Sequence, residues 1–328
     1  MKIVVLDGAA LNPGDLSWDW LGKFGAYTVY SGTDSETEAA ARIGDAEIVL
    51  TNKTPITRSL LEQCTGIRYI GVQATGYNGI DLAAARERGI PVTNVPCYGT
   101  NAVAQYTFAL LLELCHQVGL HDRAVHEGQW VHSPVFSFWL TPQMELAGKT
   151  MGIIGLGHIG MATAKLAEAF GMDVLAYTRT EKKGIRCVPL DTLLERADVI
   201  SLHCPLLPET NQLICRETIG KMKDGVILVN TSRGALVKTE DLIEGIRLHK
   251  FAGVGLDVYE EETKNVFEDR SDEILEHSTT ARLLSFPNVM ITSHQGFFTK
   301  EALEAIAETT LQNALDFESG KKSPNQVQ

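Results

Sequence analysis

Three glycines between an apolar run and a stretch of helical spacing constrain the fold of this chain more than any other feature. Gly155, Gly157 and Gly160 follow the apolar run at 152–154, and a second apolar run lies at 174–177, beyond the helical stretch. This order predicts a strand, a tight turn, a helix and a second strand, which together bind a dinucleotide. The first glycine permits the turn, the second lets a pyrophosphate approach the backbone, and the third lets the helix pack on the strand. The amides and dipole of the helix start then stabilise the phosphates. A glycine-rich turn of another α/β protein is the less favoured alternative.

Composition indicates a soluble protein with sizeable cores, because 44% of the 328 residues are hydrophobic and 21% are charged. This length favours two domains. A net charge of -12 without a basic stripe argues against a nucleic-acid partner and suits a cytoplasmic protein. The six cysteines show no zinc spacing, so we expect no metal site and predict buried, reduced thiols.

No segment is typical of a signal peptide or a membrane span. The chain begins directly with a predicted strand at 3–6. The most apolar predicted helix, at about 102–115, contains Gln105 and Glu113 and is shorter than the roughly 20 apolar residues that cross a bilayer. We therefore predict a buried core helix and no membrane partner.

Alternating strands and helices predict an α/β fold with two doubly wound parallel sheets. The last predicted helix, 300–317, is not needed to complete the second sheet and must cover the first. We therefore predict a flavodoxin-like substrate domain, residues 1–99 and 299–328, into which a Rossmann dinucleotide-binding domain, residues 100–298, is inserted. The predicted strands are 3–6, 27–30, 47–51, 69–72 and 92–94 in the first domain, and 152–154, 174–177, 199–204, 226–230, 252–256 and 289–292 in the second.

Two segments outside the predicted strands are candidate binding surfaces. Residues 73–79 follow a strand end, and their loop amides could bind a small anion, although a simple turn fits equally well. Residues 128–142 carry four large aromatic side chains on a backbone broken by prolines. Such a surface often covers a second subunit, so we predict a dimerisation arm at about 120–145, with packing on its own domain as the equal alternative.

Polar residues follow three of the predicted strands in the second domain. Arg233, Asp257 and His294 must lie on one edge of a parallel sheet, the edge that also holds the glycine turn. This set suits hydride transfer to a 2-keto acid. Arginine can bind the substrate carboxylate in a bidentate manner and polarise the ketone, and histidine can give the proton. A carboxylate such as Glu262 would stabilise the imidazolium.

Each of these residues also has a simpler interpretation. Arg233 could form a surface ion pair, and Asp257 could cap a turn. The adjacent residues Glu260, Glu261 and Glu262 cannot be distinguished by composition.

The chain resembles the D-isomer-specific 2-hydroxyacid dehydrogenases over essentially its whole length. The resemblance is strongest at 66–90, 95–103, 147–171, 199–210 with 229–237, and 253–262 with 291–299. It implies that Arg233 binds and orients the substrate, that His294 is the proton donor in reduction and that Glu262 is its carboxylate partner. It also implies a homodimer. For the substrate carboxylate and its surroundings it implies Thr75, Gly76 and Tyr98. For the cofactor it implies His158, Ile159, Cys204, Pro205, Thr210, Thr231, Ser232 and Asp257, in addition to the glycines.

Within that family the chain combines features of two groups. Gln295-Gly296-Phe297, the segment 265–284 and the tail to Asn313 resemble D-lactate dehydrogenases. Lys53-Thr54-Pro55 and the arm around 136–146 resemble hydroxypyruvate reductases, also called glycerate dehydrogenases. Ser293 stands where many members have proline. The expected substrate is therefore a small 2-keto acid of the pyruvate or hydroxypyruvate class, or a bulkier one.

The end of the second strand bears on the cofactor. NAD enzymes place an acid there to bind the ribose diol, whereas this chain has Thr178 and Arg179. This favours NADP or dual use, although Arg179 could stack on adenine and Glu181 could serve NAD. The sequence thus predicts an NAD(P)-dependent oxidoreductase. The alternatives are a same-fold oxidoreductase for phosphite or formate and a non-catalytic NAD(P)-sensing co-repressor.

Overall fold

A computed structural model describes residues 1–14, 16–180, 182–262 and 279–327 of the chain. By its internal contacts the chain divides into two compact units. The first unit comprises Met1–Tyr98 and Phe298–Gln328, and the second comprises Gly99–Phe297. The predicted limits, residues 99 and 299, each differ from these by one residue.

The first unit is built on a parallel sheet with helices on both faces. Its strands are β1 (Lys2–Val5), β2 (Ala26–Val29), β3 (Ile48–Thr51), β4 (Tyr69–Val72) and β5 (Val92–Thr93), and its helices are α1 (Glu36–Ile43), α2 (Arg58–Gln63), α3 (Leu82–Glu87) and α11 (Lys300–Glu318). The order β2-β1-β3-β4-β5 is that of flavodoxin-like sheets. Alternate residues of β1 pack into different cores, Val4 on one face and Ile3 and Val5 on the other.

The second unit holds a larger sheet, in which all neighbouring strands are parallel. Its strands are β6 (Thr150–Ile154), β7 (Asp173–Tyr177), β8 (Arg186–Cys187), β9 (Val199–Leu202), β10 (Val226–Asn230), β11 (Phe251–Leu256) and β12 (Val289–Ile291). They lie in the order β12-β11-β10-β9-β6-β7-β8. This is the doubly wound dinucleotide-binding order with one strand added, and the strand order reverses between β6 and β9. The helices are α4 (Thr100–His116), α5 (Val118–His126), α6 (His158–Ala169), α7 (Leu190–Arg196), α8 (Arg216–Lys221), α9 (Thr239–Arg247) and α10 (Thr279–Leu284).

The predicted α/β class and the parallel sheets are confirmed, with some additions. The sequence analysis missed β8 and a final strand, β13 (Gln326–Val327), which pairs antiparallel with β5. Both strands have two residues, too few to show a hydrophobic period. The cysteines also differ from the prediction, because Cys97 is exposed and Cys187 and Cys215 are only partly buried.

The predicted core helix, α4, packs on the second sheet through glycines of β11. A Cβ atom at Gly253 would lie 3.1 Å from Leu114 Cδ2, and one at Gly255 would lie 3.3 Å from Leu114 Cδ1. These glycines therefore let the helix approach the strand closely. Among the described residues, no helix is long and apolar enough to cross a membrane.

A buried asparagine ties α11 to the edge of the first sheet. Asn313 is 2% exposed, and its Nδ2 donates to the carbonyl oxygen of Asn94 at 3.0 Å. Its Oδ1 accepts from Ser323 Oγ at 2.8 Å and from Asn325 Nδ2 at 2.9 Å. One amide thus joins the helix, the end of β5 and the segment that leads to β13.

We expect Asn313→Ala to destabilise the first unit by about 1–3 kcal/mol, because buried polar groups lose their partners. Thermal unfolding would show this as a lower midpoint. Gln312→Ala is the matched control on the same helix, since Gln312 is exposed and its side-chain amide donates to Asp316 of that helix at 2.9 Å. Equal midpoints for the two variants would contradict this account.

Candidate functional site

The glycine turn after β6 leaves open space at only one of its three glycines. Gly155 has a φ of +97°, and a Cβ there would lie 2.5 Å from the backbone nitrogen of Cys204. A Cβ at Gly160 would collide with the carbonyl oxygen of Gly155. At Gly157 a Cβ would meet no atom within 4 Å. The first and third glycines are therefore required by the protein's own packing, whereas the second borders free space.

The start of α6 is suited to an anion. Gly157 is the N-cap residue, and no side chain caps the helix there. The first amides of a helix have no intrahelical acceptor, so they are available to a phosphate. They lie where the strand order reverses, since β6 pairs with both β7 and β9. This helix start fits the pyrophosphate of a dinucleotide. His158 and Ile159 are the first residues of α6, and their contact with the pyrophosphate stays a prediction.

The segment after β7 is a polar turn at the surface. Thr178 Oγ1 hydrogen-bonds to the carbonyl oxygen of Thr180 at 3.3 Å. Arg179 Nη1 lies 3.6 Å from Glu209 Oε1, and the Arg179 side chain is 75% exposed. Glu181, the predicted alternative contact for NAD, lies outside the described residues.

The loop after β9 is held by internal hydrogen bonds. Thr210 Oγ1 donates to the carbonyl oxygen of Pro205 at 2.7 Å, and Ser232 Oγ donates to that of Cys204 at 2.7 Å. Burial raises the pKa of the Cys204 thiol to about 11, so this group is neutral and packs as an apolar side chain. The predicted cofactor residues of this region thus adjoin one another and the glycine turn.

One histidine beside this loop was not singled out from the sequence. His203 Nε2 hydrogen-bonds to Ser201 Oγ at 2.8 Å. Desolvation lowers the pKa of His203 to about 4, so the imidazole is neutral at pH 7. It lies inside the predicted strand 199–204, whereas the observed β9 ends at Leu202, so nothing in the sequence indicated that His203 follows a strand end.

The turn after β10 fixes Arg233 through its backbone. Asn230 is fully buried, and its Nδ2 donates to the carbonyl oxygen of Arg233 at 2.9 Å while its Oδ1 accepts from Ser232 N at 3.0 Å. Thr231 Oγ1 lies 3.0 Å from Thr107 Oγ1 of α4. Arg233 itself is partly exposed at this edge of the sheet.

The structure distinguishes the three adjacent glutamates. Glu260 accepts from Thr239 N at 3.0 Å and from Gln212 Nε2 at 3.2 Å. Glu261 Oε2 accepts from Thr280 Oγ1 at 3.2 Å. Glu262 Oε2 lies 3.2 Å from His294 Nδ1. Glu262 is therefore the member of the three that pairs with the histidine.

Asp257 holds the turn that carries His294. It is 2% exposed, and its Oδ1 accepts from Thr292 Oγ1 at 2.6 Å and Gln295 N at 2.9 Å, while its Oδ2 accepts from Gly296 N at 2.8 Å. The carbonyl oxygen of Asp257 also accepts from His294 N at 2.9 Å. This is the turn-capping role that we set out as its alternative. Contact of Asp257 with the cofactor stays a prediction.

The pair Glu262–His294 has the arrangement of a proton donor with its carboxylate partner. The side chains are 20% and 32% exposed, so the pair is accessible but partly shielded from water. Because Nδ1 faces Glu262, Nε2 is the ring nitrogen that can give a proton to another molecule. Arg233 follows β10. In the sheet β10 lies next to β11, and Asp257 and Glu262 follow β11 in the chain.

The residues predicted to hold a substrate carboxylate lie in the first unit. Thr75 is exposed in the loop after β4, and Gly76 is partly exposed. Thr75 Oγ1 donates to the carbonyl oxygen of Val95 at 3.0 Å, and its own carbonyl oxygen accepts from Asn94 Nδ2 at 2.9 Å. Tyr98, partly exposed, is the last residue of the first segment of this unit. The loop amides are thus held at the carboxyl edge of the first sheet.

The different surroundings of the glycines give a matched pair of variants. We expect Gly157→Ala to fold with a stability loss of no more than about 1 kcal/mol. Its KM for the nicotinamide cofactor should rise by about tenfold or more, because the new methyl group occupies the space offered to the pyrophosphate. Gly160→Ala should instead destabilise the unit by about 1–3 kcal/mol through overpacking. Thermal unfolding and cofactor titration measure the two effects, and unchanged cofactor binding in Gly157→Ala would remove the phosphates from this space.

Comparison with known proteins identifies the family of this chain. Residues 108–296 match the family model of the D-isomer specific 2-hydroxyacid dehydrogenase, NAD binding domain. The chain is 48% identical to a hydroxypyruvate reductase of Blautia hydrogenotrophica, with 98% of both chains covered. It is 38% identical to the D-lactate dehydrogenase of Escherichia coli, with 83% of both covered. The crystal structure of an Aquifex aeolicus D-lactate dehydrogenase in complex with NAD and lactic acid superposes with a TM-score of 0.85 at 30% identity, covering 100% of this chain and 99% of that one. The chain belongs to the D-isomer-specific 2-hydroxyacid dehydrogenase family, whose members are oxidoreductases acting on CH–OH groups with a nicotinamide cofactor.

Proposed function

We propose that this enzyme reduces hydroxypyruvate, or a similarly small 2-keto acid such as pyruvate, to the D-2-hydroxy acid with NAD(P)H. The observation that carries the proposal is the contact of 3.2 Å between Glu262 and His294 in the unit that also holds the glycine turn. The 48% identity to a hydroxypyruvate reductase supports hydroxypyruvate before pyruvate, since the D-lactate dehydrogenase is 38% identical. The residues Lys53-Thr54-Pro55 point the same way.

Each residue then has a defined part in the reaction. The reduced nicotinamide, when bound, supplies a hydride for the keto carbon. His294 donates its Nε2 proton to the ketone oxygen, and Glu262 stabilises the imidazolium before transfer. Arg233 orients the substrate by binding its carboxylate and polarises the ketone. The amides of Thr75 and Gly76, with Tyr98 close by, belong to the same proposal as groups for the carboxylate.

We expect His294→Ala to lower kcat for keto-acid reduction by about 100-fold or more, the usual range for loss of a general acid. The affinity for NAD(P)H should stay unchanged. His249→Asn is the control, because His249 is exposed beyond α9, outside the predicted site and arm, and asparagine tolerates its φ of +58°. Steady-state kinetics at saturating cofactor measure the difference. Near-normal turnover of the His294 variant would remove this residue from the mechanism.

A substrate panel for the wild-type enzyme separates the alternatives. It contains pyruvate, hydroxypyruvate, glyoxylate, phenylpyruvate and 2-ketoisocaproate, each with NADH and with NADPH. No oxidation of either cofactor would favour the non-catalytic NAD(P)-sensing co-repressor. Turnover of phosphite or formate with the oxidised cofactor would indicate the same-fold oxidoreductase of another substrate class.

We infer that the enzyme accepts NADP, or uses both cofactors with NADP slightly favoured. The position at which NAD enzymes have a carboxylate is Thr178 in this chain, and Arg179 follows it. The contact of Arg179 with Glu209 is a solvent-exposed ion pair of 3.6 Å, and such pairs contribute only about 0–1 kcal/mol. Arg179 can therefore exchange this partner for a 2′-phosphate at little cost.

Thr178→Asp should shift the ratio of kcat/KM values toward NADH, because the new carboxylate binds a ribose diol and repels a 2′-phosphate. Glu209→Gln should shift it toward NADPH, since Arg179 then lacks its competing carboxylate. The two opposite shifts are measured with one keto acid and both reduced cofactors. No change in either variant would mean that the ribose is recognised elsewhere.

We propose that the segment at about 120–145, which includes the aromatic residues of 128–142, is a dimerisation arm. Phe136 is 88% exposed, Val131 83% and Trp139 63%, so own-domain packing does not cover them. The arm is nevertheless ordered internally, since Trp130 Nε1 donates to the carbonyl oxygen of Phe136 at 2.8 Å. An exposed group of large apolar side chains on one ordered segment suits a second copy of the chain.

Light scattering tests this assembly. Phe136→Asp should convert a dimer to a monomer, because a charge at an apolar interface is left without a partner. Leu248→Asp is the control, since Leu248 is a 71% exposed leucine that follows α9. A monomeric wild-type protein would contradict the proposal.

Cell fractionation tests the proposed cytoplasmic location, which rests on the net charge and the cysteine content of the sequence.

A further inference from the structure

A buried carboxylate that follows β1 accepts hydrogen bonds from the last residue of β3 and from the loop after it. Asp7 is 5% exposed. Its Oδ2 accepts from the backbone amides of Asn52 at 2.7 Å and of Lys53 and Thr54 at 3.1 Å each, and from Thr51 Oγ1 at 2.9 Å. Its Oδ1 accepts from Thr54 Oγ1 at 2.6 Å. Three successive backbone amides aimed at one oxygen form an anion-binding nest, and here the protein's own carboxylate fills it. We call residues 52–54 the β3 loop.

The β3 loop is bonded in turn to the segment that leads to Thr75. Asn52 Nδ2 donates to the carbonyl oxygen of Gln73 at 2.8 Å. Gln73 is 1% exposed and lies two residues before Thr75. From the other side, Asn94 and Val95 hold Thr75 through the two hydrogen bonds described above. The loop of Thr75 and Gly76 is therefore fixed between the end of β5 and the β3 loop.

Removal of the Asp7 carboxylate would release this arrangement from one side. Four donors would lose the acceptor described here, while Thr51 Oγ1 would keep the carbonyl oxygen of Thr54 at 2.8 Å. Unpaired buried amides are costly, so the β3 loop would move toward water or another acceptor. Asn52 would move with it and lose its contact with Gln73. Hydrogen bonds from amides to a substrate carboxylate depend on placement within a fraction of an ångström. A change in the β3 loop would thus weaken substrate binding at Thr75 and Gly76 without contact between Asp7 and the substrate.

We propose that Asp7 is a positioning residue for keto-acid binding: it fixes the β3 loop and, through Asn52 and Gln73, the amides of Thr75 and Gly76. The inference rests on the proposed function, because it takes these amides as the acceptor site of the substrate carboxylate. The glycine turn lies in the second unit and has its own supporting contacts with Cys204. The proposal therefore requires that Asp7 affect the keto acid and leave the cofactor unaffected.

The test compares Asp7→Ala and Asp7→Asn with the wild-type enzyme and with Asp198→Asn. Asp198 is a partly buried carboxylate that accepts from Thr150 N at 2.8 Å, and it lies at the amino edge of the second sheet. In both Asp7 variants the KM for hydroxypyruvate should rise by about tenfold or more, which corresponds to the loss of one well-placed hydrogen bond to a charged group. The KM for NAD(P)H should stay within twofold. In the control, both KM values should stay within twofold.

Chemical rescue adds a measurement that a purely structural role would not affect. Formate is a carboxylate small enough for the space left by the Asp7→Ala truncation. Added formate should lower the KM for hydroxypyruvate in Asp7→Ala, whereas in Asp7→Asn, where the amide still fills the nest, and in the wild-type enzyme it should not. Asn52→Ala should also raise this KM, and because Asn52 is only partly buried this variant provides the test if the Asp7 variants do not fold.

The inference is overturned if the Asp7 variants keep the wild-type KM for hydroxypyruvate, if both KM values rise together, or if Asn52→Ala has no effect. These outcomes differ from a failure of the proposed function. In that case the wild-type enzyme itself would reduce none of the keto acids, and the comparison of variants would not arise.

Discussion

The parallel pairing of β10, β11 and β12 is the constraint on which the candidate site depends. In the registers of these strands Asn230 lies beside Leu256, and Leu256 lies beside Ile291. The three strands therefore end at one level, and the segments that follow them leave the sheet at the same edge. This alignment places Arg233, Asp257 and His294 on neighbouring strand ends, although more than thirty residues separate His294 from Asp257 in the chain. Backbone hydrogen bonding thus brings together side chains that have no local relation.

Buried carboxylates then fix the loops at the edges of both sheets. Asp257 follows β11 and binds two backbone amides and a hydroxyl of the turn around His294. Asp7 follows β1 and binds three backbone amides and two hydroxyls next to β3. In each case a buried carboxyl group and its donors satisfy each other's hydrogen bonds, so neither side can move without leaving polar groups unpaired. The same device also supports a strained backbone, since His294 has a φ of +54° that non-glycine residues rarely adopt.

The two kinds of glycine in the nucleotide loop show how folding and binding divide one short motif. Gly155 and Gly160 are fixed by contacts within the protein, and a side chain at either would collide with the backbone. Gly157 borders open space, so the fold does not require its lack of a side chain. Two of the three glycines are thus a packing requirement, and the third leaves space beside the helix start. That combination explains why it predicts both a topology and a cofactor.

The sequence by itself determined the fold class, the order of the main strands and the family. Long apolar runs and the spacing of the glycines are local properties of the sequence, so they can be recognised without the tertiary structure. It could not choose among Glu260, Glu261 and Glu262, because adjacent residues have the same composition and differ only in the direction of their side chains. The tertiary structure distinguishes them by their hydrogen-bond partners. Glu260 accepts from Thr239 and Gln212, and Glu261 accepts from Thr280. Glu262 pairs with His294. It also decided the strands β8 and β13, which exist only through pairing with a neighbour, and the surroundings of Asp7, whose donors lie more than forty residues away.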